Sequence, residues 1–223
     1  MAIRQRAIQA EDKQERHAAI LDAAERLLAK GGDRSVSVAE VADEAGLAKG
    51  TVYLYFPGKE ELLLAVHERA IDGFFRDVIE RVESRAALTV DDMLLLTRRH
   101  IVEPPLFLKL AAHCFGFIAQ GASEGAATGF RQRMDARLTR AGAGIERHFG
   151  DLAPGSGVTL LRHSYALIIG LWMMASASGD AGRGGLGCGN AGSEPVPFPL
   201  ELDRALRALW QGTLAAAAKA AGR

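Results

Sequence analysis

Val38, Val41, Ala42 and Ala45 stand at i, i+3, i+4 and i+7, which places four apolar groups on one face of a short helix. Its start is marked twice. Ser37 followed three residues later by Glu40 makes a capping box, and Val36 with Val41 hold the two positions of a hydrophobic staple. Gly46 ends the helix, because the left-handed geometry of a helix stop is free of steric cost only for glycine. Leu47 anchors the turn. The pattern then predicts a second helix over Ala48–Leu54, with Val52 inward and Lys49, Thr51 and Tyr53 outward. Two helices joined by a tight glycine turn form a helix-turn-helix, the arrangement that lays its second helix in the DNA major groove.

Beyond Lys59 the periodicity predicts helices only, with no period-two run long enough for a sheet. A long helix over Lys59–Arg85 carries Leu62, Leu63, Val66, Ala70 and Phe74 inward. Asp91–Ile101 forms another, stopped by Glu103-Pro104-Pro105. Leu106–Ala119, Glu124–Phe149, Val158–Ser178 and Leu200–Ala220 follow. Leu160, Leu161, Leu167, Ile168, Leu171 and Trp172 surround their helix, so it needs cover on more than one side, whereas Leu202, Leu206, Leu209 and Trp210 make a single stripe. Gly170 allows close helix approach. Between these helices lies Gly179–Pro199, seven of whose 21 residues are glycine; this composition suits a connector better than a lid over a pocket. The expected fold is all-α: a three-helix helix-turn-helix domain over residues 1–60, with 1–14 as a flexible arm, then a larger helical domain over 61–223. Arg4 and Arg6 would let that arm enter a minor groove, the alternative being a disordered tail.

The outward face of the second short helix carries lysine and two kinds of hydroxyl, groups that bind phosphate oxygens or base edges. Tyr53, Tyr55 and Lys59 are the candidate phosphate clamps. Lys59 follows the Pro57-Gly58 break, so it starts a helix, where backbone N–H groups and the helix dipole also favour an anion. Periodicity alone does not separate this reading from an ordinary helical corner whose lysine and tyrosines are plain surface.

The run GLAKGTVYLYFPGKEELL resembles the recognition segment of TetR-family transcriptional regulators, and Ile20–Lys30 resembles the first helix of their DNA-binding domain. The Gly46 turn, Lys49-Gly50-Thr51, Tyr53, Tyr55-Phe56, Lys59 and the leucines after it carry the likeness over about 50 residues. It implies an all-helical homodimer that binds a double-stranded operator through its N-terminal domain and a small effector through its C-terminal one. It further implies pairing through the helices at 158–178 and 200–220. The DNA-side residues are then Ser37, Lys49, Gly50, Thr51, Tyr53, Tyr55 and Lys59. Two positions depart from the family pattern: Ala48 replaces a usual capping serine, and Leu54 stands where a polar or basic residue is common.

With 27 basic and 27 acidic residues the chain is neutral, and within Met1–Glu61 acids outnumber bases. DNA affinity cannot rest on an overall basic field. The charge is sorted locally instead: Ala45–Lys59 holds Lys49 and Lys59 and no acid. A modest salt dependence follows. The N-terminus has no apolar signal-like region, and the apolar stretch Tyr165–Ala177 is too short to span a bilayer. Cys114 and Cys188 are far apart in unlike surroundings, an arrangement that suits reduced thiols in the cytoplasm. No membrane association is expected.

For an effector the candidates are apolar and aromatic groups with a few polar ones: Phe107, His113, Phe117, Met134, Tyr165, Trp172 and Met173. Each is equally ordinary core material. Arg98-Arg99 reads as a solvated face, so an amphipathic or lipophilic effector is expected. The six histidines are scattered without metal-ligand spacing, and no serine or cysteine sits in a nucleophile motif. No cofactor or metal is expected. The competing readings are an all-helical enzyme or carrier without DNA binding, and an activator or architectural protein using the same helix-turn-helix.

Overall fold

The computed structural model of the chain describes residues 2–30, 36–104, 106–112, 121–177 and 196–222. Every regular element among them is helical: α1 (Ala2–Lys30), α2 (Val38–Glu44), α3 (Lys49–Tyr55), α4 (Lys59–Glu83), α5 (Val90–Thr97), α6 (107–112), α7 (Glu124–His148), α8 (Ser156–Ala177) and α9 (Phe198–Ala221). The all-α fold expected from periodicity is the one observed. Helix α1 runs from Ala2 to Lys30. His113, Cys114, Phe117, Cys188 and most of the glycine-rich stretch lie outside the described residues.

The chain forms two compact units. The first is Met1–Ala70 with His113–Phe130; the second is Ile71–Ala112 with Arg131–Arg223. Of the three boundaries, Ala70/Ile71 falls inside α4 and Phe130/Arg131 inside α7.

In the first unit, Ile20, Leu21, Ala23 and Ala24 of α1, Val38, Val41 and Ala42 of α2, Val52 of α3 and Leu62–Leu64 with Val66 of α4 supply the core. Arg69 on α4 ties this core to α1 through Asp22 and Glu25, both at 2.7 Å. The Ser123 backbone N–H donates to Glu61 at 2.8 Å, and the Phe130 ring lies 6.2 Å from that of His67. Ala70, expected inward, is only half-buried.

In the second unit, Ile71, Phe74, Phe75, Val78 and Val82 give the other half of α4 its buried face. Thr89 and Asp92 form a reciprocal capping box that starts α5. The helix then widens into a π turn over Arg98–Val102, closed by the Glu103 N–H on the Arg98 carbonyl at 2.9 Å. Tertiary bonds hold this turn from two sides. His100 Nε2 meets Asp77 of α4 at 2.8 Å, and Arg98 reaches Asp203 of α9 at 2.6 Å. The α8–α9 pair is fastened inside by Trp210 Nε1 donating to the Ser164 hydroxyl at 3.0 Å, which itself donates to the Leu160 carbonyl.

Helices α7 and α8 approach closely at two glycines. A Cβ at Gly157 would strike the Gly142 carbonyl, and one at Gly142 would strike the backbone of Gly157 and Val158. At Gly170, where close approach was expected, an added Cβ meets nothing within 4 Å in this chain. The apolar stretch that was too short to span a membrane extends as part of α8: by length and composition, Ser156–Ser176 is long and apolar enough to cross one, and only 28% of it is buried inside the chain.

Candidate nucleic-acid interface

The geometry of α2 and α3 follows from their caps. The Ser37 hydroxyl accepts from the Glu40 N–H at 3.3 Å, while the Ser37 N–H donates to the Glu40 carboxylate at 2.9 Å. Val36 and Val41 are both buried, as a staple requires. At the far end Gly46 has φ 67°, the Leu47 N–H reaches the Ala42 carbonyl at 2.9 Å and the Gly46 N–H reaches that of Asp43 at 3.1 Å. This pair of bonds is a Schellman stop, which fixes the direction in which the chain leaves α2. Helix α3 therefore starts at a set angle although its N-cap, Ala48, makes no side-chain cap bond.

Val52 is fully buried and locks the inner face of α3, with Phe56 buried just beyond it. The outer face is open. Lys49 and Gly50 are exposed, Tyr53 is 43% and Leu54 84% exposed, and Thr51 and Tyr55 are half-buried. Lys49 Nζ sits 5.8 Å from the centre of the Tyr53 ring, a cation–π contact that steadies both side chains. Lys59 stands at the first position of α4. Neither Lys49 nor Lys59 has a carboxylate partner among the described residues, which leaves both charges available to phosphates. Ser37 is exposed, but its hydroxyl and N–H both serve the cap. Its part in this face is to orient α2.

Helix α1 extends the same side of the molecule. His17 lies 5.0 Å from the Phe56 ring and 6.3 Å from the Tyr55 ring. With Lys13, Gln14 and Tyr55 it lines a shallow notch of about 270 Å³. Every polar lining group can donate a hydrogen bond, and none is a carboxylate. Burial first, then the nearby Arg69 and Lys13 charges, hold the His17 imidazole below its usual value. Sequence reading missed Lys13, Gln14 and His17 because nothing in α1 shows that Tyr55, far along the chain, folds against it.

The effector candidates are less unified. Phe107 is fully buried, Met134, Tyr165 and Trp172 are half-buried, and Met173 is 51% exposed. They sit on α6, α7 and α8. Exposure at Met173 is what a helix surface shows rather than the wall of an enclosed cavity. Among the described residues no group of three or more His, Cys, Asp or Glu is placed to hold a metal ion.

Comparison with known proteins gives these features a context. Residues 20–66 match the family model described as bacterial regulatory proteins, tetR family, and residues 68–217 match that of the tetracyclin repressor-like C-terminal domain. The transcriptional repressor KstR of Mycolicibacterium smegmatis is 30% identical over 138 residues, which is 59% of this chain and 65% of that protein. The fatty acid metabolism regulator protein of Bacillus subtilis is 30% identical over 88 residues, 40% of this chain and 45% of that protein. The chain thus spans less than two thirds of the length of these relatives. Among solved structures, a tetR-family transcriptional regulator from Streptomyces coelicolor aligns with a TM-score of 0.52 at 19% identity, over 91% of this chain and 83% of that one. A regulator of that family from Mesorhizobium loti, at 22% identity, gives 0.52 over 91% and 96%. At such identities these two structures speak for the fold.

Proposed function

This chain belongs to the TetR family of bacterial transcriptional regulators, and from that premise we propose that it is a repressor which binds a palindromic operator as a homodimer and is released by a small amphipathic or lipophilic effector. Proteins of this family are DNA-binding regulators rather than enzymes. The observation that carries the reading is the outer face of α3, open at Lys49, Gly50, Tyr53 and Leu54, free of acids and held at a set angle by two helix caps and a buried Val52, with the half-buried Lys59 beside it.

The dimer is proposed through α8 and α9. Helix α8 exposes Met173 and Met174 at 51% and 46%, α9 exposes Leu200 at 46%, and Gly170 has open space beside it. An apolar helix so little covered within its own chain suits a partner helix, and a copy of the same pair supplies one. The effector is assigned to the second unit, with Phe107, Met134, Tyr165 and Trp172 as candidate contacts. The fatty acid metabolism regulator among the relatives is in keeping with a lipophilic guest.

Release needs a link from effector to DNA, and α4 is the continuous element that provides one. Two recognition helices must stand about 34 to 36 Å apart to enter successive major grooves. A guest that tilts α4 spoils that spacing. About 1 to 3 kcal/mol of coupling, a 5- to 150-fold change in operator affinity, is enough.

The test is a titration of the purified protein against its own upstream DNA beside a Tyr53→Ala, Lys59→Ala double variant. Saturable binding of the unaltered protein to one palindromic site, lost in the variant, is the expected result. Equal binding by both proteins would remove α3 and the start of α4 from the interface.

A further inference from the structure

Helix geometry singles out one line on the surface of α3. At about 100° per residue, Leu54 and Gly50 lie two positions either side of the fully buried Val52, and so within about 20° of directly outward. Thr51 and Tyr53 lie on the flanks. The exposures agree, with Leu54 at 84% against 43% for Tyr53. The ridge that reaches furthest toward a groove is thus Gly50 and Leu54, and neither side chain can make a hydrogen bond.

A single leucine on a protein surface is ordinary. Leu54 differs in being central to the face that must approach base edges, and in having an exposed glycine one turn before it. Gly50 is not required by packing, since an added Cβ meets nothing within 4 Å, and its backbone takes no left-handed conformation. A glycine inside a helix costs stability without return from the chain itself. What it gives is room for another molecule to come close to the backbone, which brings Leu54 deeper into the groove.

The major-groove edge of a base pair offers hydrogen-bond donors, acceptors and one apolar group, the C5 methyl of thymine. A ridge without hydrogen-bonding groups can match only the last. We propose that Leu54 reads a thymine methyl in each operator half-site, with Gly50 allowing the approach. Lys49, Tyr53 and Lys59 then position the helix on the backbone, while this apolar contact selects sequence. The assignment rests on the operator-binding reading above.

The experiment starts from a duplex selected out of a random library by the full-length protein. Each thymine of that duplex is replaced in turn by deoxyuridine, which removes only the methyl group, symmetrically in both half-sites. Binding is followed by fluorescence anisotropy for the unaltered protein and for Leu54→Ala, whose fold is checked by thermal melting. One thymine position is expected to matter: losing a buried methyl should weaken binding about fourfold per half-site, about 15-fold for the pair. Leu54→Ala should bind the intact duplex more weakly and be insensitive to uridine at that position. The proposal is overturned if no thymine position changes affinity by more than about twofold. It is equally overturned if Leu54→Ala keeps the same uridine sensitivity, or loses affinity uniformly, as a sugar-backbone contact would. If no duplex is enriched, the operator-binding reading falls and this assignment with it. A tight duplex indifferent to uridine removes the assignment alone.

Discussion

His67 is 2% exposed, and burial pushes its imidazole down to about 4, with the Glu68 charge opposing weakly. The unfolded chain, at about 6.5, binds the proton first as the pH falls. Stability is therefore fully present above about pH 6.5 and is lost progressively toward pH 4, by up to about 3 kcal/mol. His17, also held low, adds a loss of the same sign. Urea unfolding at pH 7, 6 and 5 should show the decline, and His67→Gln should flatten most of it; an unchanged slope in the variant would place the proton elsewhere. Nothing in the sequence announced this residue, because a histidine on an apolar helix face looks the same whether its covering element arrives or not. The Ser37–Glu40 box, the Gly46 stop and the inward Val52 were legible, since each depends on neighbours within five positions. His17 beside Tyr55 depends on a distant pairing and was not.

At the scale of elements, the start of α4 at Lys59 and the spans of α7, α8 and α9 follow the apolar pattern closely. The π turn at Arg98–Val102 had no local mark. It is held by Asp77 and Asp203, partners on helices remote in sequence. The crossing of α7 and α8 was likewise hidden, since glycine inside a helix reads only as a weak former. Gly157→Ala pushes a methyl against the Gly142 carbonyl, and backbone cannot swing aside as a side chain can. A loss of about 1 to 3 kcal/mol is expected. Gly125→Ala, where nothing lies within 4 Å, should be neutral or stabilising by up to about 1 kcal/mol. Parallel thermal melts compare the two, and equal shifts would mean that the crossing relaxes freely.

For the whole molecule the fold class was readable from periodicity, and the acid-free outer face of α3 from its sorted charge. The effector site was not, because pocket linings and cores draw on the same apolar residues. The dimer proposal can be examined directly: Met173→Glu with Met174→Glu places two charges on a face open in the single chain. The variant should stay folded yet elute as a monomer in light-scattering chromatography and bind operator at least about tenfold more weakly. A folded dimer would move the interface off this face. The first unit is also discontinuous, since residues from the start of α7 complete what Met1–Ala70 begins. Engineers who build hybrid regulators by splicing one protein's reader onto another's sensor therefore face a two-piece graft. A chimera carrying only the leading segment would inherit a foreign patch against Glu61 and His67, whereas one that also transplants 121–130 keeps the native closure.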